Sequence, residues 1–386
     1  MPDNSVPGTN RRGFLGTAGV TAAGFAAACA PGAAPPDPGA SGDAGTASGW
    51  EAEWRDLVTN ANKEGKLSLV TTVGAVYRDT VAAFESAFPG ITVEHTSLNA
   101  SNFTPRFLQE RKSGINSYDA MTSTWAIVPR AMANEGYIQP IMSVLLRGDV
   151  LDDKVWHGGF EAGFLDKDEK WVYSSFVERS EDLWINTDQV SPAEITTPED
   201  LLNPKWKGRI RTGDPRTHGA GFTPLTMLRL EKGDGFVRRL IRDQELVYSR
   251  DNRQLVEMMV RGQVAIAIGG MNRQVFAEFL AQGLGRNLKR LDLEGVDSVG
   301  GGSNVVWAFR EPPHPNAARL FVNWLLTKEG QTLWGRAVPI NSRRVDVEPV
   351  APDLMPEPNR KYRSRDSWDM AAEYAKTQEL AKAILN

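Results

Sequence analysis

Lys66-Leu67-Ser68-Leu69-Val70-Thr71-Thr72-Val73-Gly74-Ala75-Val76-Tyr77 reads as a strand that passes through a small glycine-bearing loop into a helix. Leu67, Leu69 and Val70 are the apolar residues of a buried strand. The helix is predicted over 78–88, and Pro89-Gly90 stops it. Ile91-Thr92-Val93-Glu94-His95 is the next strand, 103–113 the next helix, and Tyr118-Asp119-Ala120-Met121-Thr122-Ser123-Thr124 a third strand. Upstream, 50–65 predicts a helix with Trp54, Leu57, Val58 and Ala61 on one face. Strand, helix, strand, helix, strand in this order predicts an α/β fold, a parallel sheet with helices on its faces. Ligands of such sheets bind beyond the carboxyl ends of the strands. That position holds Thr72, Gly74, Ser123 and Thr124. Tyr77 and Trp125 belong to loops on the same side, where a ring would stack on a planar ligand; packing into the core is the alternative.

A second strand–loop–helix join lies at Arg209-Ile210-Arg211-Thr212-Gly213-Asp214-Pro215-Arg216-Thr217-His218-Gly219-Ala220-Gly221-Phe222. Backbone N–H groups at the start of a helix favour an anion. Thr217, His218, Gly219 and Ala220 are the candidates there, unless the join is folding punctuation alone. The other three histidines are scattered, with no spacing that points to zinc.

A chain of 386 residues can build two ordinary domains. A net charge of −4 disfavours nucleic acid or an anionic membrane as a partner. The only cysteine is Cys29, so a disulfide within the chain and a cysteine metal site are both excluded. Residues 1–28 read as an address. Arg11-Arg12 resembles a twin-arginine export signal, and a small-residue apolar run covers 17–28. Ala26-Ala27-Ala28-Cys29 is similar to a lipoprotein cleavage box, with Ala26 where leucine is usual. Acylation of Cys29 is expected, against simple cleavage with an idle cysteine. Residues 29–49, rich in Pro, Gly, Ala and Ser, predict a disordered tether. The address predicts an exported protein, periplasmic or at the cell surface, held to a membrane through Cys29.

Glu64-Gly65-Lys66-Leu67, Phe84-Glu85-Ser86-Ala87-Phe88-Pro89-Gly90, Leu201-Leu202-Asn203-Pro204-Lys205-Trp206-Lys207-Gly208 and Arg261-Gly262-Gln263-Val264-Ala265-Ile266 give the folded part a resemblance to the extracellular solute-binding proteins of ABC importers, nearest to the ferric-ion-binding group. The most specific block is Asn323-Trp324-Leu325-Leu326-Thr327-Lys328-Glu329-Gly330-Gln331. The resemblance implies a two-lobe type II periplasmic-binding-protein fold with a two-strand hinge and an interlobe cleft. Lobe 1 would span 50–180 and 303–346, lobe 2 would span 181–302, and 347–386 would pack on a lobe. Gly300-Gly301-Gly302 beside the second crossing would absorb hinge rotation or serve as a plain loop. A monomer with no cofactor, a small solute and an ABC permease as partners is implied, with no enzyme activity.

The family's ferric members hold iron with adjacent tyrosines; the matching positions after Gly270 are Asn272 and Arg273. No Tyr-Tyr pair occurs in the chain, and an arginine there repels a cation. An anionic solute is therefore expected: a carboxylate, a phosphonate or a phosphate ester. Arg273 and Arg179 would offer planar forks to it, unless Arg273 faces outward and Arg179 pairs with Glu178 or Glu181. Two alternatives are a receptor for ferric or another metal ion and an exported enzyme. The enzyme lacks support from any Gly-x-Ser-x-Gly, His-Glu-x-x-His or phosphate-loop motif.

Overall fold

Apolar strands alternating with amphipathic helices can bury both faces of a sheet, and the chain does this twice. The computed structural model describes residues 49–98, 100–123, 127–217, 221–293, 295–302, 304–358 and 360–386. The export signal, the tether and Cys29 lie outside them. The first half contains α1 (Gly49–Glu64), β1 (Lys66–Thr71), α2 (Tyr77–Ala87), β2 (Thr92–Ser97), α3 (Ala100–Lys112), β3 (Ala120–Ser123), α4 (Ile127–Asn134), β4 (Ile138–Gln139), α5 (Gly148–Leu151) and β5 (Tyr173–Ser174). β6 (Glu178–Arg179) leads out of it. The second half contains β7 (Leu183–Asn186), β8 (Ile210–Gly213), α6 (Phe222–Asp243), β9 (Val247–Ser249), α7 (Asn252–Val260), β10 (Ile266–Ile268), α8 (Arg273–Ala281) and β11 (Leu288–Leu291). β12 (Ser298–Gly300) leads back to β13 (Val305–Phe309), α9 (Pro315–Leu325) and α10 (Lys328–Ala337). The tail ends with β14 (Arg363–Ser364) and α11 (Met370–Leu385).

The first sheet has the order β2-β1-β3-β13-β4, with β5 also paired to β13. β1 runs parallel to β2 and β3, as the strand–helix alternation requires. β13 lies antiparallel to β3, so the returning chain completes the first half. Phe84 of α2 is fully buried against Phe321 and Trp324 of α9, with ring centroids at 5.4 and 5.2 Å. The second sheet has the order β11-β7-β10-β8-β9. There β8, β9 and β10 are mutually parallel and β7 is antiparallel to β10.

A third, small sheet, β14-β12-β6, joins the halves. The expected two-strand hinge is therefore a three-strand one. The tail supplies the extra strand because it does not stay on one half. It pairs β14 with β12, and α11 then packs on α6, where Tyr374 stacks on Phe222 at 4.8 Å. The proline-broken stretch from Val347 gave no hint of this passage, since a two-residue strand has no readable period.

Phe84→Ala should lower the unfolding free energy by about 3–5 kcal/mol, the usual result of emptying a buried aromatic site. Urea denaturation followed by circular dichroism reads it; a loss under about 1 kcal/mol would contradict this packing.

Candidate functional site

Because β8, β9 and β10 are parallel, their carboxyl ends reach one edge of the second sheet together. β8 delivers Gly213-Asp214 there, β9 delivers Ser249-Arg250, and β10 delivers Gly269-Gly270. Antiparallel β7 begins at the same edge, which brings Glu181 and Asp182 alongside. Gly269 and Gly270 both have left-handed backbone (φ 72° and 75°), the region where glycine avoids the Cβ clash. A Cβ on Gly221 would lie 2.2 Å from the Gly213 carbonyl oxygen, so the start of α6 presses on the end of β8. These ends line an open cavity of about 640 Å³, and Arg365, just after β14, lines it as well.

Asp214 is the best-held charge in this cavity. It accepts from the Arg216 backbone N–H and from Arg216 Nε and Nη2 at 2.9–3.0 Å, and from Arg250 Nε at 2.9 Å. The bonds to Arg216, helped by Arg250, hold its carboxyl down at about 2. Asp182 is the opposite case. Burial pushes its carboxyl up, and its Oδ2 is buried without a partner. Arg365 lies close enough to oppose that shift and the upward shifts of Glu178 and Asp366, but it hydrogen-bonds to none of the three. Beneath the floor, Arg211 of β8 is fully buried. Its Nη1 donates to the Gly269 carbonyl at 2.7 Å, and no carboxylate pairs with it among the described residues. Burial lowers its guanidinium to about 9. Among the described residues the cavity thus holds carboxylates at Glu181, Asp182 and Asp214, the Asn252 amide, Thr217 and Arg250, which both bond Asp214, and Arg365, which pairs directly with no carboxylate.

The structure brings Thr217, Gly270 and Asn272 of the expected set into this cavity. Asn272 has a structural task as well, since its Oδ1 caps α8 through the Val275 N–H at 3.0 Å. The two arginines expected to bind the solute are engaged elsewhere. Arg273 Nε donates to Glu181 at 2.5 Å, and its Nη1 and Nη2 donate to Glu178 at 3.2 and 3.1 Å. Arg179 Nη1 donates to Asp292 and Glu357, both at 2.9 Å, and its Nη2 donates to the Asp353 carbonyl at 2.6 Å. Carboxylates that are distant in sequence engage both guanidinium groups, leaving Arg179 Nε buried without a partner. Tyr77 is core: it is 4% exposed, its hydroxyl donates to Asn304 at 3.4 Å, and burial pushes it up to about 12. The Gly74 carbonyl accepts from the Tyr77 N–H, and the half-buried Thr72 accepts through its carbonyl from Ser97. Ser123 is buried at the end of β3 with no partner for its hydroxyl. Thr124, Trp125, His218, Gly219 and Ala220 lie outside the described residues, as does Cys29.

Arg365, Asp182, Asp214 and Arg250 escaped the sequence reading. The one available signal for Arg365 was the charged run Arg363-Ser364-Arg365-Asp366 following a proline-rich stretch. No group of three or more His, Cys, Asp or Glu able to hold a metal ion occurs among the described residues. Nor is any described helix long and apolar enough to cross a membrane.

Two α/β halves on a short hinge sheet, with a polar cavity at the strand ends, define a two-lobed binding protein. The chain belongs to the bacterial extracellular solute-binding proteins, whose family model matches residues 68–332. Solved structures of the ferric-ion-binding group share the fold. Iron-bound HitA from Pseudomonas aeruginosa is 17% identical, with 83% of this chain and 99% of that one covered and a TM-score of 0.61. The Trichodesmium protein IdiA (FutA), solved with iron and citrate, is 16% identical over 83% and 99%, with a TM-score of 0.64. AfuA from Actinobacillus pleuropneumoniae, solved with fructose-6-phosphate, is 17% identical over 83% and 99%, with a TM-score of 0.54. An uncharacterized protein of Haemophilus influenzae is 27% identical over 143 residues, or 35% of this chain. That match spans 38% of the relative's own length.

Burial pushes both Asp366 and Asp297 up to about 6, against about 4 in an unfolded chain. A raised folded value means that their stabilising contribution is complete below about pH 4 and is lost as the pH climbs through about 6. Stability should therefore fall between pH 4 and 6, by up to about 1.4 kcal/mol per pH unit for each proton. Asp366→Asn should flatten that slope in chemical denaturation across this window; an unchanged slope would show that Asp366 ionises normally.

Proposed function

We propose that the chain is the solute receptor of an ABC importer, closing its halves around a small hydroxylated anion and presenting it to the permease. A carboxylate, a phosphonate or a phosphate ester fits that description. Arg365 carries the reading. It lines the cavity as a cation without a direct counter-charge, next to hydroxyl and amide donors. Its fork suits a planar carboxylate or a phosphoryl group, and each charge-assisted bond contributes about 1.5–3 kcal/mol. The unpartnered Asp182 Oδ2 suits a hydroxyl of the same solute. That AfuA was solved with fructose-6-phosphate supports the idea that such a solute suits this architecture. No covalent step is required; capture needs closure, and release needs the permease to favour the open form.

Iron is the second reading, because HitA and the Trichodesmium protein were solved with it. Against it stand Asn272 and Arg273 at the positions matched to tyrosines and the lack of a three-ligand cluster among the described residues. Calorimetry with citrate, inorganic phosphate, fructose-6-phosphate and ferric citrate separates the two readings. Arg365→Ala should weaken the anion that binds by at least about tenfold, one charge-assisted bond's worth. Affinity unchanged by that substitution, or heat from ferric citrate alone, would overturn the anion reading.

Export and acylation at Cys29 belong to the same proposal, supported by Arg11-Arg12 and the Ala26-Ala27-Ala28-Cys29 box. Two acyl chains anchor a protein stably, whereas one does so only marginally. Cys29→Ala should shift the mature chain from the membrane pellet to the soluble fraction in cell fractionation. Equal partition of the two forms would mean that Cys29 carries no anchor.

A further inference from the structure

The hinge sheet has two faces, and only one of them looks into the solute cavity. Its register pairs Val299 with Arg179 on one side and Ser364 on the other. Paired residues share a face, so Arg179, Val299 and Ser364 lie on one face and Glu178 and Gly300 on the other. Arg365 lines the solute cavity. Val177, Val299, Ser364 and Asp366 line a separate cavity of about 430 Å³, which shares no residue with the first.

The walls of this second cavity mix apolar residues, Phe164, Leu165, Phe176, Met355 and Pro356 among them, with the charged Arg343, Glu357, Arg360 and Asp366. At its first-half end sits Arg343, only 8% exposed. Arg343 Nη2 donates to the His157 carbonyl at 2.7 Å. Among the described residues no carboxylate pairs with it, and burial lowers its guanidinium. The acids at the far end are already occupied. Asp366 accepts from the Gly301 N–H at 2.6 Å, and Glu357 accepts from Arg179 at 2.9 Å. Room for the guanidinium is made by Gly163, where a Cβ would lie 2.7 Å from Arg343 Nη1. A buried guanidinium with no counter-ion is costly unless a charge is brought to it. Apolar surface with a few convergent charged groups is the usual make-up of a small-molecule pocket, and about 430 Å³ falls within the usual size range. Arg360 is paired with Asp297 and Glu357, so Arg343 is the cation of this lining without a carboxylate partner among the described residues.

We propose that this cavity is a second binding site, for a small apolar monocarboxylate whose carboxylate meets Arg343 and whose body packs on Phe164 and Phe176. Its ligand touches the hinge sheet from behind, so it is distinct from the transported solute and does not depend on the identity of that solute.

Benzoate is the probe, titrated into the full chain by calorimetry, with benzamide as its uncharged counterpart. One-to-one benzoate binding is expected, with benzamide at least about tenfold weaker. Arg343→Gln should weaken benzoate by a similar factor, while Arg365→Ala should leave it within about twofold. If Arg343→Gln fails to fold, the amide resonances of the wild-type protein decide. Shifts at Gly163 and Gly301 without one at Gly270 support the site. Shifts at Gly270 alone, equal affinity for benzamide, or no binding at about 10 mM, where a single good contact would already register, would overturn it.

Discussion

The Arg179 guanidinium holds the two halves in one register. It sits on β6 with its side chain 10% exposed, and it reaches Asp292 after β11, Glu357 in the tail and the Asp353 carbonyl. One side chain thus fastens the outgoing strand, the end of the second half and the tail that becomes β14. Removing one member of a buried pair costs about 3–5 kcal/mol, because the remaining charge stays desolvated. Glu357 is more than half exposed, so the Asp292 bond counts for more.

With Arg179 spent on the hinge, charge is sorted by the pleat. β14 places Arg365 toward the solute cavity and Asp366 away from it, one residue apart. The same alternation sends Glu178 toward Arg273, whose pairs with Glu178 and Glu181 fix the start of α8 against the hinge. Those pairs remove Arg273 from ligand chemistry but keep Asn272 and Gly270 at the cavity wall. Arg365 is left as a cation of this cavity that pairs directly with no carboxylate among the described residues.

The sheet skeleton was legible because it rests on short-range pattern. The strand expected at 66–72 is β1, the helix expected at 78–88 is α2 displaced by one residue, and the crossing near Glu178 is β6. The α/β class and the likeness to the ferric-ion-binding group follow from the same periods and motifs, and both hold. The hinge strand β14 was not legible, since Arg363 and Ser364 are too few to show a period and their pairing partner lies 65 residues upstream. The cation assignment failed for a related reason. Arg179 and Arg273 look available in a linear chain, and only folding brings Asp292, Glu357, Glu178 and Glu181 within reach. Tyr77 seemed a cleft residue because it follows a strand end, yet the first turn of α2 points its ring at Trp334, with centroids 6.2 Å apart.

Some of the buried polar groups that find no partner among the described residues lie at strand ends. Thr122 and Ser123 end β3, Thr212 lies near the end of β8, and Asp182 precedes β7. A buried polar atom without a hydrogen bond costs about 1–3 kcal/mol. A solute that satisfies several of them recovers that energy, and one that lacks the matching hydroxyl or anion leaves it unrecovered. This asymmetry lets a hydrogen-bonding site reject near-isosteres far more strongly than an apolar pocket can. On the proposed reading, selectivity in this chain would rest on such groups at the strand ends, Asp182 among them.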